Sequence, residues 1–209
     1  MNWKEDMRLI EYGEREISHL SKRDKKLGAF IERTGFIERE IRENLFESLA
    51  TSIINQQISN SAAFTVMGRF HDMFPAATPE AVDAASVEEI QKIGVSMRKA
   101  SYIKGLSSAA ACGELDIEGL RALPDDEVAK ALLPIKGIGI WTVEMFLIFS
   151  LGRPDVVSFG DFAIRKGMMN LYGLKRLDRA KFDRYRKRYA PYGTTASLYL
   201  WEAAVTDFK

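Results

Sequence analysis

The residues with the clearest chemical potential lie in two short segments, Leu132–Thr142 and Asp155–Arg165. The first places Gly137 and Gly139 between two stretches of helical spacing, and the second places Asp161 directly after a glycine. Glycines permit a tight reversal and a close backbone approach, and the amides that open the next helix lack partners inside it. Such a helix start binds an anion, for example a phosphate. An ionised aspartate can stabilise an oxocarbenium-like sugar or orient a water molecule.

Both segments also have purely structural interpretations. A glycine pair is common in an ordinary turn between two helices. An aspartate at the start of a helix is more often an N-cap, whose carboxylate accepts a hydrogen bond from the helix amides. Pro134 before the glycines and Ile138 between them favour the phosphate-binding turn. Asp161 can cap a helix and take part in chemistry at the same time, because its location at the helix N-terminus favours the ionised carboxylate.

The elements that must position these residues are predicted to be helices. Thr78 before Pro79, Ser86 and Ser96 each read as an N-cap, and Ser86 belongs to a capping box. Further helices are predicted near residues 161–171, 178–189 and 194–206. Val156 and Val157 form too short a run, and lie too near Pro154, to indicate a strand. The pattern predicts an all-α fold with about ten helices.

Composition narrows the classes of protein. A chain of 209 residues fits one domain or a tightly fused pair. Cys112 is the single cysteine, which excludes an internal disulfide and a four-cysteine iron–sulfur cluster. The two histidines, His19 and His71, lie far apart, which disfavours a zinc site. Because the sequence shows neither a bilayer-length apolar run nor a signal peptide, we expect an intracellular, soluble protein.

The charge is balanced overall but unevenly distributed. The net charge is only +1, and eight basic residues crowd the segment Lys175–Arg188. A one-sided basic face of this kind suits a nucleic acid, whereas charge runs on helices are also common on solvated surfaces. The charge pattern leaves both interpretations open.

Taken together, Leu132–Thr142 and Asp155–Arg165 resemble the helix-hairpin-helix motif and the Gly/Pro-rich loop with its aspartate of the HhH-GPD superfamily of DNA glycosylases. The match is best to the 3-methyladenine DNA glycosylase II branch. Segments 50–59, 94–103 and 191–201 agree with that branch in order and spacing, so the resemblance covers about residues 10–205.

The resemblance implies an all-α fold of two closely packed helical subdomains, with the active site in the cleft between them. One subdomain would span about residues 45–150, and the other would combine the N-terminal segment with about residues 155–209, within a single glycosylase domain of residues 1–209. The chain would be a minimal form that lacks the additional N-terminal α+β domain of some members.

The resemblance also assigns roles to individual residues. Asp161 is the expected catalytic residue, and Gln56 and Gln57 are the expected DNA wedge, although they also suit a polar helix terminus. The expected phosphate-binding hairpin comprises Ile135, Gly137, Gly139 and Thr142. The expected base pocket comprises Trp141, Trp201, Phe159 and Met145, with Phe162 as a further wall, and each of these fits core packing as well. Additional phosphate contacts are expected at Arg98, Lys99 and Arg165, although a solvated helix start fits the first two equally.

Trp141 bears on the type of reaction. In related bifunctional glycosylases this position carries a lysine that attacks the sugar and leads to strand cleavage. A tryptophan there implies a monofunctional glycosylase that releases alkylated purines of the 3-methyladenine and 7-methylguanine type and leaves an abasic site. Met145 departs from the aromatic residue that the branch often has at its position. Two alternatives therefore remain: a glycosylase for oxidised guanine or for a uracil or thymine mismatch, and a non-catalytic helix-hairpin-helix DNA-binding module.

The expected partner is double-stranded DNA that contains damaged bases. The protein is expected to bind it as a monomer and not to associate with a membrane. No cofactor and no iron–sulfur cluster are expected, although the resemblance implies a monovalent cation on the backbone carbonyls of the hairpin. The expected location is the cytoplasm, associated with the nucleoid, in a prokaryote or the nucleus in a eukaryote.

Overall fold

The structure, a computed structural model, describes residues 8–208, so both ends of the predicted domain, Met1–Met7 and Lys209, lie outside the described residues. Within that range the chain forms twelve α-helices and one 3-10 helix, Glu118–Ala122. Extended pairing in residues 8–208 is confined to a single antiparallel bridge between Leu9 and Glu40. The predicted all-α class is therefore confirmed.

The helices are α1 (Glu14–Arg23), α2 (Lys25–Thr34), α3 (Leu45–Ile54), α4 (Asn60–Met73), α5 (Pro79–Asp83), α6 (Val87–Gln91), α7 (Met97–Ala111), α8 (Asp125–Leu132), α9 (Ile140–Phe149), α10 (Phe162–Tyr172), α11 (Arg179–Tyr189) and α12 (Gly193–Val205). The number exceeds the expected ten because the N-terminal segment folds as two helices. Asp24 separates them, since it ends α1 and its carboxylate caps α2 by accepting from the Leu27 amide.

The predicted helix starts are confirmed by their hydrogen bonds. Thr78 accepts from the Ala81 amide with Pro79 at the first helical position, and Ser96 caps α7. Ser86 forms a reciprocal capping box, in which Glu89 bonds back to the Ser86 amide. Short polar side chains satisfy amides that a helix leaves without internal partners, which is why the sequence alone locates these starts.

The described chain divides into two compact units, one of residues 42–146 and the other of residues 8–41 together with 147–208. The unit of residues 42–146 is organised around α7, which contacts α3, α5 and α6. Ala100, Ile103 and Leu106 on α7 are completely buried. Lys104 on the same helix donates to the backbone carbonyl of Asp83 at the end of α5 and pairs with its carboxylate. α7 therefore packs against α3, α5 and α6, and it is joined to α5 by polar contacts as well.

The other unit is organised around α12, whose residues 193–200 are all buried. α12 packs on α10 so closely that a Cβ atom placed on Gly167 would lie 1.8 Å from the Leu200 carbonyl oxygen. The buried carboxylate of Asp24 accepts hydrogen bonds from Tyr172 at 2.9 Å and from Arg188 at 3.0 Å. A buried carboxylate needs such partners because burial without them is costly.

None of the helices described in residues 8–208 is both long enough and apolar enough to cross a bilayer.

Candidate functional site

Asp161 is a buried N-cap. Its side chain is only 7% exposed, and Oδ1 accepts a hydrogen bond from the Ile164 amide of α10 at 2.9 Å. The Asp161 amide itself donates to the Ser158 hydroxyl at 3.2 Å. The capping interpretation of Asp161 is therefore correct, and it fixes one carboxylate oxygen at the positive end of a helix dipole.

The loop that leads to Asp161 is fastened to α12. The Val156 amide donates to the Thr194 hydroxyl at 3.1 Å, and the Ser197 hydroxyl donates to the Val156 carbonyl at 2.8 Å. Asp155 accepts from the Gly193 amide and from Arg186, both at 2.9 Å. Because these groups are mostly buried, the loop presents Asp161 from a fixed backbone.

Trp201 lies beside Asp161. Its indole Nε1 donates to Asp161 Oδ1 at 3.3 Å, and its ring stacks on that of Phe149 with centroids 5.4 Å apart. Sequence reasoning proposed Trp201 as a base-pocket wall and did not consider Phe149. The structure gives Trp201 an additional role, since its N–H helps to orient the carboxylate.

Phe159, which stays a predicted wall of the base pocket, is half-buried and already has partners within the protein. Its ring packs edge-on against Phe182 with centroids 5.0 Å apart, and the guanidinium carbons of Arg165 and Arg179 lie 5.4 and 5.2 Å from its centroid. Intramolecular contacts therefore occupy this ring. Phe162, in contrast, is 69% exposed at the start of α10.

Arg165 stays a predicted phosphate contact. Its Nε is buried and has no hydrogen-bond partner among the described residues, and its guanidinium is held over Phe159. An arginine that is held on an aromatic ring keeps its planar fork pre-oriented for a charged partner.

The glycine hairpin, residues 133–139, joins α8 to α9. Gly137 has φ of +91°, which favours glycine, and a Cβ atom placed there would lie 2.6 Å from Cδ2 of Tyr102. The Ile138 amide closes a turn on the Ile135 carbonyl at 3.0 Å, and the Ile138 side chain is buried. Ile138 therefore anchors the hairpin, while Gly139 is exposed.

The start of α9 follows the hairpin directly. The first backbone bond of α9 runs from the Val143 amide to the Gly139 carbonyl at 3.0 Å, so the amide of Thr142 lies in the first turn. The Thr142 side chain is buried, and any phosphate contact at this residue must use its backbone N–H. Trp141 is 44% exposed, which excludes the core role that was its alternative, and Met145 is half-buried.

The wedge turn, residues 55–58, joins α3 to α4. Gln57 is exposed and has φ of 56°, an uncommon conformation for a residue with a side chain. Gln56 Nε2 donates to the Gly137 carbonyl at 2.8 Å. The predicted wedge thus consists of an exposed Gln57 and of a Gln56 that is bound to the hairpin.

Lys99 bonds within the protein, whereas the sequence predicted a contact with a DNA phosphate for it. Its ammonium donates to the carbonyls of Ile54, at 2.7 Å, and of Gln56, at 2.5 Å. Burial lowers the pKa of Lys99, and the neighbouring charge of Arg98 lowers it further. Arg98 is exposed at the start of α7 and stays a predicted phosphate contact.

The basic segment Lys175–Arg188 is partly neutralised. Arg179 pairs with Asp183 at 2.9 Å, Arg186 pairs with Asp155 at 2.9 Å, and Arg188 pairs with Asp24 at 3.0 Å. The one-sided basic face considered from the sequence therefore carries less net positive charge, because three of its arginines pair with aspartates.

Sequence reasoning missed three residues at these sites: Tyr102, Ser158 and Phe149. Tyr102 follows Lys99 by one helical turn, and this spacing places both on one face of α7. Ser158 lies three residues before Asp161, a common spacing for a hydroxyl that accepts from a backbone amide. Nothing in the sequence marked Phe149 as part of the site, apart from its apolar side chain.

Among residues 8–208, no three His, Cys, Asp or Glu side chains come together in a way that could hold a metal ion. The cation was predicted on backbone carbonyls of the glycine hairpin, and one of these, the Gly137 carbonyl, accepts a hydrogen bond from Gln56.

Two helices joined by a glycine hairpin, with a capped and buried aspartate on a separate loop, define a helix-hairpin-helix protein. A sequence profile described as HhH-GPD superfamily base excision DNA repair protein matches residues 50–191. The chain therefore belongs to the HhH-GPD superfamily, and the resemblance inferred from the sequence is confirmed.

Individual relatives agree with this assignment. The chain is 34% identical over 166 residues to DNA-3-methyladenine glycosylase 1 of Schizosaccharomyces pombe, which covers 76% of this chain and 72% of the relative. The crystal structure of DNA-3-methyladenine glycosidase from Bacillus halodurans superposes with a TM-score of 0.86 at 38% identity, over 96% of this chain and 94% of that one. The S. pombe 3-methyladenine DNA glycosylase Mag1 in complex with abasic DNA superposes with a TM-score of 0.79 at 30% identity, over 90% and 95% of the two chains.

Proposed function

We propose that this protein is a monofunctional DNA glycosylase that hydrolyses the N-glycosidic bond of alkylated purines and leaves an abasic site. The observation that carries the proposal is the placement of Asp161, a buried carboxylate held by a helix amide and by the Trp201 indole. Such a group is arranged before the reaction, so it stabilises developing positive charge without reorganisation. The names of the relatives support the substrate class.

Hydrolysis of the glycosidic bond requires few catalytic groups other than this carboxylate. Alkylation at N3 or N7 makes the purine cationic, so the base departs with the bonding electron pair and becomes neutral. The sugar carbon develops oxocarbenium character, which Asp161 stabilises while a water molecule attacks that carbon. The proton of the water passes to Asp161 or to solvent. No lysine stands at position 141, so the strand-cleaving route through a Schiff base has no nucleophile there.

DNA binding is assigned to the glycine hairpin and the wedge turn. The amides at the start of α9 can bind a phosphate without reading the sequence. Extrusion of the base costs a few kcal/mol, and Gln57 is the exposed side chain that fills the space it leaves. The exposed indole of Trp141 suits a cationic purine, because a cation on an indole face contributes about 0.5–2 kcal/mol.

The direct test is incubation of the purified protein with methylated duplex DNA. We expect release of free 3-methyladenine and 7-methylguanine, measured by chromatography, together with alkali-labile abasic sites and without strand cleavage before alkali treatment. Duplexes with oxidised guanine or with uracil or thymine mismatches test the other specificities. Tight duplex binding without release of any base would instead indicate the non-catalytic module.

Trp201→Phe tests the contact between the indole and the carboxylate. Phenylalanine keeps the stacking on Phe149 but loses the donor to Asp161 Oδ1. We expect the single-turnover rate of 7-methylguanine release to fall about tenfold, since a hydrogen bond to a charged group contributes about 1.5–3 kcal/mol and this one is long. Tyr199→Phe is the matched control on α12, because it removes a hydroxyl that bonds to Gly35. An equal loss in both variants would argue against a specific role of Trp201.

We further propose that the enzyme acts as a monomer wherever the DNA of the cell resides, in the nucleoid or the nucleus. A monovalent cation at the hairpin would bind carbonyl oxygens other than that of Gly137, which Gln56 occupies. Its role would be to neutralise charge between the hairpin and a DNA phosphate.

A further inference from the structure

The unit formed by residues 42–146 contains a part-buried polar contact that the proposed chemistry does not use. We infer that Lys99 is a positioning residue for base flipping, which holds the wedge turn in a fixed register with the glycine hairpin. This inference rests on the proposed glycosylase function, because it concerns how the wedge enters the DNA.

The ammonium of Lys99 bonds to the carbonyls on both sides of the turn's first residue. It donates to the Ile54 carbonyl at 2.7 Å and to the Gln56 carbonyl at 2.5 Å. The last carbonyls of a helix lack partners inside it, and a cation there is favoured by the helix dipole. The Asn55 amide caps the Thr51 carbonyl of α3, and Lys99 adds a partner for the last carbonyl of the helix, that of Ile54.

The Gln56 carbonyl belongs to the same peptide unit as the Gln57 amide. A bond to this carbonyl fixes the plane of the peptide that precedes Gln57, and Gln57 has φ of 56°. A non-glycine residue persists in such a strained conformation when its surroundings over-determine it. Lys99 is the side chain that holds this peptide, so it determines the direction in which Gln57 leaves the turn.

The same helix face also holds the hairpin. Tyr102, one turn after Lys99, packs its ring against the Cα of Gly137. Gln56 closes the connection, because its side-chain amide donates to the Gly137 carbonyl at 2.8 Å. α7 thus fixes the wedge turn through Lys99 and the hairpin through Tyr102, and Gln56 bridges the two.

This arrangement makes wedge insertion depend on hairpin docking. When the hairpin binds a phosphate, the distance from Gly137 to Gln57 is already set by Gln56 and Lys99. A wedge that is placed before binding avoids the cost of ordering a turn at the moment of flipping. Without the ammonium, the hairpin still binds the backbone, but Gln57 must find its orientation in the complex.

The experiment separates flipping from binding in the full-length protein. Lys99→Met keeps an unbranched stem, one atom shorter than that of lysine, and removes the donors. Base flipping is followed by the fluorescence of 2-aminopurine placed next to 7-methylguanine in a duplex, excision by single-turnover release of 7-methylguanine, and binding by the Kd for an abasic duplex. We expect a smaller flipping amplitude and an excision rate lower by on the order of tenfold to a hundredfold. The Kd for abasic DNA should change by less than about threefold.

Lys104→Met is the matched control. Lys104 lies on the same helix and also donates to a carbonyl at a helix end, that of Asp83, which belongs to α5 and not to the wedge turn. We expect Lys104→Met to lower the Tm at least as much as Lys99→Met while its flipping amplitude, excision rate per folded molecule and Kd stay near those of the wild type. Equal loss of flipping in both variants would overturn the inference, because it would indicate general destabilisation.

A double-mutant cycle provides a second readout that a purely structural role would not move. If Lys99 acts through Gln57, Lys99→Met should reduce the excision rate little further in a Gln57→Ala background. Full additivity, or an unchanged flipping amplitude in Lys99→Met, would overturn the inference while leaving the proposed function intact. Absence of base release from the wild-type protein would instead contradict the proposed function.

Discussion

Asp161→Asn is expected to release 7-methylguanine at least about a hundredfold more slowly than the wild type while it binds an abasic duplex with nearly the same Kd. Loss of one pre-organised electrostatic contact to a transition state costs about a hundredfold to a thousandfold in rate. Since the developing sugar charge faces a full carboxylate, its replacement by a neutral amide should fall in or above this range.

The substitution is informative because it changes the charge and preserves the structure. Asp161 caps α10, and asparagine is an equally good N-cap, so Oδ1 can still accept from the Ile164 amide and from the Trp201 indole. Asp161→Ala, in contrast, would lose the cap as well and cost about 1 kcal/mol of stability. The Tm of Asp161→Asn should therefore stay close to that of the wild type.

Asp178→Asn is the matched control for this variant. Asp178 caps α11 by accepting from the Lys181 amide at 2.8 Å, and it is exposed. The variant removes the same charge at the same kind of helix start, and its excision rate should be unchanged. Release by Asp161→Asn at the wild-type rate would show that another group stabilises the sugar, and the assignment of Asp161 would be wrong.

Gly137→Ala is expected to weaken binding of abasic duplex by on the order of a hundredfold, with a parallel loss of excision at subsaturating enzyme. Two costs add at this position. The backbone has φ of +91°, which costs an L residue about 1–2 kcal/mol. The new Cβ would lie 2.6 Å from Tyr102 Cδ2, and overpacking costs about 1–3 kcal/mol. The hairpin relieves this strain only if it abandons the conformation that presents the amides of α9.

Substitutions of Gly139 and of Tyr102 provide the comparisons for Gly137→Ala. A Cβ atom on Gly139 would meet nothing within 4 Å, so Gly139→Ala should keep the hairpin fold, and its loss of affinity would report only on contact with DNA. In Gly137→Ala, removal of the ring by Tyr102→Ala should restore part of the affinity, because it relieves the clash and leaves the backbone strain. Wild-type affinity in Gly137→Ala would contradict the phosphate-binding role of this hairpin.

Local features of the sequence were sufficient to predict the helices and the glycine hairpin. Helix starts at Ser86 and Ser96 were predictable because a capping side chain interacts with amides only three residues away. Asp161 was predictable as a cap for the same reason, and its role in the chemistry stays a prediction. The family was predictable because its segments keep their order and spacing along the chain, which is a one-dimensional property.

The partners of side chains across the fold were decided by tertiary structure. From the sequence, Lys99 and Arg98 were equivalent basic residues at the start of a helix, yet Lys99 turns inward to two carbonyls that lie more than forty positions earlier in the chain. Phe159 and Trp201 were equivalent aromatic residues, yet Phe182 and two arginines cover the first, and the second donates to Asp161. The sequence by itself determined which groups are present and which helices carry them. Tertiary packing determined which of them stay exposed and which bond within the protein, because exposure and long-range hydrogen bonds depend on elements that are distant in the chain.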